Sequence, residues 1–353
     1  MKSVSKQMRR SILGVFCMKE KKQTKVTINE VAAYAGVSKS TVSRYINGRT
    51  NEISPEKVKK IKKAIEELHY RPSQLAQGLK VRKSKVIGFI VADITNPFSV
   101  ATLRGVEEIC DEYGYSIMVC NTDNRPEKER EMLLKLHAHY IEGLIINTTG
   151  QNNDILQDFK QNGVPIVLVD RKLPELKVDT VTTNNRDITA RLLHQMVEKG
   201  YEHIAFFTEP VDGISPREER KEAYEQTAMS QHKKPMIAEI NLKQKEQMRD
   251  EICRFLQSNH QKKAILAGNG LLMLKLISEL VDLGVKIPEE IGIAGFDDTE
   301  WYKLIGPGIT TVAQPSHEMG KAAMQKIKTR LEGDKSAPQT IQLDGEIIVR
   351  KSL

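Results

Sequence analysis

The residues whose types and spacing best suit binding chemistry form a short run near the start of the chain, SKSTVSR at 38–44. Its hydroxyl side chains can donate hydrogen bonds to phosphates or base edges, and their small size permits a close approach. If the run is helical, its outward face carries Lys39, Ser40 and Arg44. Val42 then faces inward. The run has the composition of a surface that contacts nucleic acid.

The flanking residues predict how this run is positioned. In VTINEVAAYAG at 26–36, Thr27 and Glu30 have the spacing of a capping box that starts a helix. Gly36 can adopt the left-handed conformation of a helix C-cap, and Ser38 can cap the next helix. A helix, a tight turn with glycine and a second helix match the helix-turn-helix plan, whose second helix enters the major groove. An ordinary helical hairpin is the simpler alternative.

Charge is unevenly distributed along the 353 residues, whose net formal charge is +8. Residues 1–85 hold 21 Lys and Arg against 6 Asp and Glu, and the rest of the chain holds 33 against 40. Charge alone would favour a solvated basic tail. A third predicted helix, SPEKVKKIKKAIEELHY at 54–70, has an apolar stripe that can close a small core. The pattern therefore favours a polyanion-binding module attached to a body with another task.

After residue 85, short β-branched runs alternate with segments of helix length, which predicts parallel sheets covered by helices. The runs predicted as strands are 86–92, 115–120, 143–147, 165–169, 203–208, 263–268 and 291–296. These are too many for one small doubly wound sheet, so we expect two lobes with a ligand cleft beyond the carboxyl ends of their strands. The segment GPGITTVAQP at 306–315 is expected to carry the chain back between the lobes.

Cysteine usage and hydropathy indicate the compartment. The cysteines, which have neither metal-ligand spacing nor a disulfide pattern, are Cys17, Cys110, Cys120 and Cys253. This favours a reducing compartment, the cytoplasm. No run approaches the roughly 18 apolar residues of a membrane span, so no membrane association is expected. Residues 1–25 are predicted to be an extension outside the fold, with translation starting at Met1 or at Met18.

Three segments together resemble the LacI/GalR (lactose-repressor) family of bacterial transcription regulators: VTINEVAAYAGVSKSTVSRYING, SPEKVKKIKKAIEELHYRPSQLAQGL and KVIGFIVADITNPF. The resemblance runs from about residue 26 to the C-terminus. It implies an all-α helix-turn-helix domain at 26–71, a hinge helix and linker at 72–85, and an α/β two-lobed core like periplasmic binding proteins at 86–353. We expect the first lobe to comprise about 86–183 plus about 312–335, and the second about 184–311 plus the C-terminus.

The resemblance also implies a set of DNA contacts. Lys39, Ser40 and Arg44 match the base-reading positions, and Asn47 matches a phosphate anchor. The whole expected set is Thr27, Ser38, Lys39, Ser40, Thr41, Ser43, Arg44, Asn47, Ala76 and Leu79. The donor fork of Arg44 suits guanine, although the same fork can clamp a phosphate.

The hinge at 72–79 is short for an independent helix, and Gly78 lowers its helix propensity further. It is therefore expected to be disordered until something packs against it. In the family, the hinge helices of a dimer pair over the minor groove and insert a leucine, and Leu79 matches that residue while Ala76 matches the close contact. A plain linker whose Leu79 packs on the core is the alternative. A homodimer on a pseudo-palindromic operator is the expected assembly.

Effector contacts in the family lie at strand ends, and matching positions here carry suitable polar or aromatic groups. Together with Arg217, which lies one helical turn before Arg220, the expected effector residues are Asn96, Phe98, Asp170, Arg171, Arg217, Arg220, Asn269, Asp297 and Trp301. An amide beside an aromatic ring suits a carbohydrate, and Trp301 could stack on a sugar. Helix capping, turns and core packing are simpler roles for the same residues.

Three of these residues carry guanidinium groups: Arg171, Arg217 and Arg220. Arginine forks match carboxylates and phosphates, which weakly favours a sugar acid or sugar phosphate over a neutral sugar. Pairing with nearby glutamates explains the two helical arginines equally well. Gly270 and Ser99 depart from the Asp and the aromatic residue usual in the family.

The sequence predicts a regulator, most simply a repressor of carbohydrate-utilisation genes, with no catalytic residues, cofactor or metal. Two alternatives remain open. A nucleotide-dependent dehydrogenase would rest on GNGLLM at 268–273, which lacks the third glycine of its fingerprint. A periplasmic-type sugar-binding protein would leave residues 26–79 without a purpose. The sequence leaves the operator, the effector and the sign of its effect, induction or corepression, unspecified.

Overall fold

The computed structural model describes residues 26–46, 48–70, 84–211, 213–258 and 262–353. They belong to two compact units, one before and one after the boundary between Lys83 and Ser84. In these ranges no helix has both the length and the apolar composition that crossing a bilayer requires.

The first unit is helical. Its helices are α1 (Ile28–Ala35), α2 (Lys39–Ile46) and α3 (Pro55–Glu67), with a 3₁₀ turn at Thr50–Glu52. The predicted capping box starts α1: the Thr27 hydroxyl accepts from the Glu30 N–H at 3.4 Å, and the Glu30 carboxylate accepts from the Thr27 N–H at 2.6 Å. Gly36 ends the helix with a φ of +62°, in the left-handed region that glycine adopts without strain.

A small apolar core holds the three helices together. Val31, Val42, Ile61 and Ala64 are all fully buried within it. The turn at Gly36 therefore presents one face of α2 to this core and leaves the opposite face exposed to solvent. This is the helix-turn-helix arrangement that the sequence predicted.

The second unit alternates strands and helices. The strands are β1 (Val86–Val91), β2 (Ser116–Asn121), β3 (Gly143–Ile146), β4 (Ile166–Val169), β5 (Asp179–Thr183), β6 (His203–Thr208), β7 (Met236–Glu239), β8 (Lys263–Ala267), β9 (Gly292–Phe296), β10 (Thr310–Ala313), β11 (Thr340–Leu343) and β12 (Glu346–Ile348). The helices are α4 (Pro97–Tyr113), α5 (Pro126–Ala138), α6 (Asn153–Gln161), α7 (Asn185–Glu198), α8 (Ser215–Ser230), α9 (Lys245–Leu256), α10 (Gly270–Asp282) and α11 (Ser316–Leu331), with a 3₁₀ helix at Glu300–Lys303.

These strands form two sheets of the same topology among the described residues. The first has the order β11-β5-β4-β3-β1-β2 and the second the order β12-β10-β9-β8-β6-β7. All neighbours are parallel except β10 and β12. Apolar clusters cover both faces of each sheet. The predicted pair of doubly wound lobes is confirmed.

Each of the seven predicted strands is present, but β5, β7, β10, β11 and β12 were not predicted. The segment at 306–315, expected to carry the chain between lobes, contains β10, which belongs to the second sheet. The predicted lobe boundary at 312 therefore falls inside a strand, and the crossing follows at Gln314. A second correction concerns β11, which lies in the first lobe although everything after 335 was assigned to the second.

The chain crosses between the lobes three times: after β5, after β10 and between β11 and β12. Hydrogen bonds join the crossings to one another. The Thr183 hydroxyl donates to Gln314 Oε1 at 2.9 Å, and Asn184 Oδ1 accepts from the Gly345 N–H at 2.9 Å. The three crossings therefore form one connected hinge.

Helices α4 and α11 pack against each other in the first lobe with their backbones in contact. A Cβ atom on Gly105 would lie 1.9 Å from the His317 carbonyl oxygen, and one on Gly320 would lie 2.0 Å from that of Thr102. Only glycine permits this approach at either position. The contact ties α11, from the end of the chain, to the first helix of the lobe.

Candidate functional site

The outer face of α2 carries the residues predicted to read bases. Lys39, Ser40 and Arg44 are exposed there, opposite the fully buried Val42. Arg44 Nε lies 3.6 Å from a carboxylate oxygen of Glu52, with both side chains about half exposed. The Arg44 guanidinium is therefore held only by a weak surface pair that a stronger partner can displace.

Other expected DNA contacts shape the helix ends. The Ser38 hydroxyl oxygen accepts a hydrogen bond from the Thr41 backbone N–H at 3.2 Å, which caps the start of α2. The Thr27 hydroxyl has the same capping function at α1, and Ser43 is half-buried. The contacts predicted at Asn47, Ala76 and Leu79 lie outside the described residues, as does the extension at 1–25.

A cavity of about 110 Å³ lies between the two lobes of the second unit. Eight of the nine expected effector residues line it: Asn96, Phe98, Asp170, Arg171, Arg217, Arg220, Asn269 and Asp297. Trp301 is the exception. It lies in the 3₁₀ helix at Glu300–Lys303, is 38% exposed and stacks on Tyr302 with ring centroids 5.6 Å apart. Nothing in this geometry supports the prediction that Trp301 stacks on a ligand.

Two aspartates face the cavity from the ends of strands. Asp170 follows β4 and Asp297 follows β9. Burial raises the pKa of the Asp170 carboxyl, while Arg220 and Arg171 oppose that shift and Asp297 adds to it. Because the effective dielectric constant inside a protein is lower than in bulk water, a hydrogen bond from a ligand to these carboxylates is stronger here than it would be at the surface.

Gly270, which stands where the family usually has an aspartate, packs closely against Asp297. Its N–H donates to Asp297 Oδ2 at 2.9 Å, and a Cβ atom on it would lie 3.0 Å from the Asp297 Cβ. A side chain at this position would require Asp297 to shift by a few tenths of an ångström. The glycine therefore lets the backbone itself orient this carboxylate.

Arg220 is held on all sides. Only 4% of the residue is exposed, and its guanidinium lies 3.7 Å from the centroid of the Phe296 ring. Nε donates to Asn185 Oδ1 at 2.9 Å, Nη1 to the Gly268 carbonyl at 2.7 Å and Nη2 to Gln314 Oε1 at 3.1 Å. Burial lowers the pKa of Arg220, and Asp170 and Asp297 counteract that effect. Its charge is therefore fixed in place before any ligand arrives.

Arg171 is buried on the opposite side of the cavity, with 7% of the residue exposed. Nη1 donates to Asn124 Oδ1 at 2.8 Å and to the Thr148 carbonyl at 2.9 Å. Its Nε–H has no hydrogen-bond partner among the described residues, and neither has the Oδ1 atom of Asn147. Burial lowers the pKa of Arg171 to about 10. An unpaired buried donor on a cationic group favours an acceptor-rich ligand.

Arg217 forms an ion pair with a glutamate, which the sequence left open as the alternative to a ligand contact. The partner is Glu209, just after β6, at 2.7 Å from Arg217 Nη2, rather than a residue of the glutamate-rich stretch on α8. Asn269 donates to the same carboxylate at 2.7 Å, and its Oδ1 accepts from the Leu272 N–H to cap α10. Asn96 likewise caps α4 by accepting from the Phe98 N–H. Both amides combine a capping role with a place in the cavity wall.

Sequence reasoning missed several polar residues that line the cavity: Asp93, Asn124, Asn147, Glu209 and Gln314. Glu209 could have been inferred from its place beside a predicted strand. Gln314 could not, because the strand that it follows, β10, was not predicted. Counting these residues, the cavity wall carries three guanidiniums and four carboxylates, with apolar groups at Phe98, Ile214 and Leu271.

The fold and these two sites define a class of protein: a helix-turn-helix head joined to a two-lobed core with a small-molecule cavity. Comparison with known proteins agrees. Residues 27–73 match the model of bacterial regulatory proteins of the lacI family, and residues 193–353 match a periplasmic binding protein-like domain.

Individual relatives extend the match to nearly the whole chain. The HTH-type transcriptional regulator KdgR of Bacillus subtilis is 63% identical over 95% of this chain and 100% of its own length. PtxS, an HTH-type transcriptional regulator of Pseudomonas aeruginosa, is 41% identical over 93% of this chain and 96% of its own. The crystal structure of the lac repressor dimer bound to operator and the anti-inducer ONPF has a TM-score of 0.79 at 22% identity, covering 93% of this chain and 98% of that one.

The chain belongs to the lacI family of bacterial transcription regulators. Members of this family are DNA-binding proteins and not enzymes, so the dehydrogenase alternative is wrong. The head at 26–70 likewise sets the chain apart from a plain sugar-binding protein.

Proposed function

We propose that this protein represses carbohydrate-utilisation genes by binding a pseudo-palindromic operator as a homodimer, under the control of a small sugar-like effector. The observation that carries the proposal is that one chain joins an exposed helix-turn-helix face to a polar cavity lined by both lobes. A protein that acts on DNA in this way works in the bacterial cytoplasm.

Surface charge supports the DNA contact. Besides the outer face of α2, exposed lysines lie along α3 at Lys57, Lys59, Lys60, Lys62 and Lys63. Such a cluster attracts the phosphate backbone and makes binding strongly dependent on salt. Arg44 is proposed as a base contact to guanine, with Lys39 and Ser40 beside it. Asn47, Ala76 and Leu79 are proposed to add phosphate and minor-groove contacts.

Exposed apolar side chains on both lobes support a dimer. Val100 on α4 and Val119 on the edge strand β2 are exposed on the first lobe, while Leu274 and Val281 are exposed on α10 of the second. A dimer also matches the two-fold symmetry of paired half-sites about 34 Å apart on one face of the duplex. One small head alone buries too little surface for specific binding.

The cavity favours a polyhydroxylated ligand with an acidic group. Carboxylates at Asp170 and Asp297 can accept from sugar hydroxyls, and the Phe98 ring offers an apolar face to ring C–H groups. The unpaired Nε–H of Arg171 supports a carboxylate or phosphate on the ligand. The pairing of Arg217 with Glu209 leaves one fewer free cation, so the support is for a single acidic group. A sugar acid or a sugar phosphate carries that combination.

Control follows from the hinge. A ligand that contacts both lobes binds one relative arrangement of them better than others, and so shifts the population toward it. In a dimer that shift moves the first lobes and the attached heads, which changes operator affinity by a coupling free energy of about 1–3 kcal/mol.

The experiment is an operator-binding assay on the full chain combined with a ligand screen. Binding to a genomic operator should weaken steeply as salt rises, with a footprint that covers two half-sites. A thermal-shift screen of neutral sugars, sugar acids and sugar phosphates should raise the melting temperature with an acidic compound. Stabilisation by neutral sugars alone would reject the acidic effector, and a footprint over a single half-site would reject the dimer.

A further inference from the structure

Glu219 is a buried carboxylate that joins the two lobes without lining the cavity. It lies on α8 of the second lobe, and 8% of the residue is exposed. Lys172, from the first lobe, forms an ion pair with Glu219 Oε1, and the Asn185 amide donates to Oε2 at 3.0 Å. A carboxylate in this position must keep its partners, because an unpaired buried charge is costly.

A second bond joins the lobes at the same place. The backbone N–H of Lys172 donates to the Ser215 hydroxyl, the first residue of α8, at 2.8 Å. Asp170 and Arg171, which line the cavity, immediately precede Lys172 in the chain. The segment at 170–172 therefore lines the cavity through Asp170 and Arg171 and contacts the second lobe through Lys172.

Asn185 links the contact between Lys172 and Glu219 to Arg220. Its Nδ2 donates to Glu219, while its Oδ1 accepts from Arg220 Nε at 2.9 Å. An amide has one donor side and one acceptor side, so the bond to Glu219 turns the acceptor toward Arg220. One of the three hydrogen bonds that hold Arg220 thus depends on a carboxylate that Arg220 does not itself contact through a hydrogen bond.

We propose that Glu219 is a positioning residue that holds Arg220 in its orientation through Asn185 and, through Lys172, makes that orientation conditional on closure of the two lobes. The inference deepens the proposed effector site, and rests on the proposed function only for the ligand that Arg220 meets. When the lobes separate, Lys172 leaves Glu219 and the carboxylate gains freedom to move. Asn185 then no longer presents a fixed acceptor, and the cavity is assembled only in the closed form.

The test uses the full chain without ligand and needs no knowledge of the effector. Chemical modification of arginine by phenylglyoxal, quantified at each residue by mass spectrometry, reports the accessibility of Arg220 and Arg171. Spin labels placed on the exposed residues Leu134 in the first lobe and Met229 in the second report the separation of the lobes.

Lys172→Met removes the interlobe pair. We expect the distance distribution to broaden toward longer separations and the modification rates of Arg220 and Arg171 to rise together, by about tenfold. Lys172→Arg retains the charge and should restore the wild-type values.

Substitutions at Glu219 separate its two roles. Glu219→Gln keeps an acceptor for Asn185 but lacks the charge that attracts Lys172, so it should behave like Lys172→Met. Glu219→Leu removes both contacts and should raise modification of Arg220 more than that of Arg171. If Glu219→Leu does not fold, the glutamine and methionine variants still decide the matter.

Lys221→Met is the matched control. Lys221 lies on the same helix and pairs with Glu239 at 3.1 Å, but that pair lies within one lobe. It should leave the separation and both arginines unchanged. The proposal is overturned if Glu219→Gln and Lys172→Met leave the lobe separation and the protection of Arg220 at wild-type values. That result would stand whether or not a sugar acid is identified as the effector, so the two proposals fail separately.

Discussion

Asp170 and Asp297 occupy equivalent positions in the two lobes. Each is the first residue after the third strand in the order of its sheet, β4 or β9, and each has a φ of +68°. They differ in their partners. Asp170 accepts one long hydrogen bond from Asn147, at 3.3 Å, whereas Asp297 accepts from the Gly270 N–H at 2.9 Å and from Gln314 at 2.6 Å. Among the described residues, the Asp170 carboxylate thus has one long hydrogen bond and the Asp297 carboxylate has two short ones.

We expect Asp170→Asn to raise the melting temperature of the ligand-free core by about 2–4 °C, equivalent to about 1 kcal/mol for a core of this size. Burial raises the pKa of Asp170, so the folded state binds the proton more tightly than the unfolded state does. The free energy of unfolding therefore falls as pH rises from the ordinary aspartate range through the raised pKa. Asparagine cannot ionise and tolerates a left-handed φ. Calorimetry from pH 4 to pH 7 should show a shallower decline in the variant.

Asp297→Asn is the comparison and should have the opposite sign. The amide cannot accept with both of its polar atoms, so either Gly270 or Gln314 loses an acceptor, at a cost of about 1–3 kcal/mol. A rise in melting temperature for Asp297→Asn as large as that for Asp170→Asn would contradict this account of the two carboxylates.

Gly105→Ala should destabilise the core by at least about 2 kcal/mol, because the new Cβ would overlap the His317 carbonyl oxygen and force α4 and α11 apart. Urea denaturation of the full chain measures this. Gln325→Ala, at an exposed position on α11, provides the control and should stay within about 0.5 kcal/mol of the wild type. Equal stabilities for the two variants would show that the helices have room to separate.

Glu52→Gln should strengthen operator binding a few-fold, because the carboxylate pairs with Arg44 and also repels the phosphates.

Arg44→Lys should reduce the preference for the correct base by about 1–3 kcal/mol at a single base pair of the operator, since lysine lacks the bidentate fork. Binding to a set of single-base operator variants measures both effects. A uniform loss across all variants would assign Arg44 to a phosphate.

Trp301→Phe should leave effector affinity unchanged within about twofold, because the side chain lies outside the cavity wall and half-exposed positions contribute little. Isothermal titration with the compound identified by the ligand screen measures the affinity. Phe98→Ala, in the cavity wall, is the positive control and should weaken it. A tenfold loss in Trp301→Phe would place part of the ligand outside this cavity.

Elements with a strong apolar signature were predictable from the sequence. Six of the seven predicted strands are largely buried apolar runs, as expected for strands covered on both faces, whereas β2 has an apolar composition although it lies partly exposed at a sheet edge. The residues DTVTT of β5 escaped because threonine reads as polar, although all five residues are buried. Strands β11 and β12 are short and lie largely exposed at sheet edges, so no burial pattern marks them.

Cavity residues were predictable where a polar side chain directly follows a predicted strand, as at Asp170 and Asp297. It was not predictable where a residue reaches the cavity through the tertiary fold, as Gln314 does from a chain crossing. Trp301 shows the converse: it follows a strand-end motif closely in sequence, yet the intervening turn directs it away from the cavity. The pairing of Glu219 with Lys172 across the lobes has no sequence signature, because the two residues lie far apart in the chain.

The three crossings between the lobes have a consequence for biosynthesis. The first lobe requires α11 and β11, so it stays incomplete until residue 343 has left the ribosome, and the second lobe requires β12, which ends at residue 348. Proteins built from contiguous domains can fold each one as it emerges, from the N-terminus onward. Here the helix-turn-helix head emerges first, and both lobes become complete within a few residues of each other. A nascent chain therefore holds a finished DNA-binding head well before it holds the cavity that regulates it.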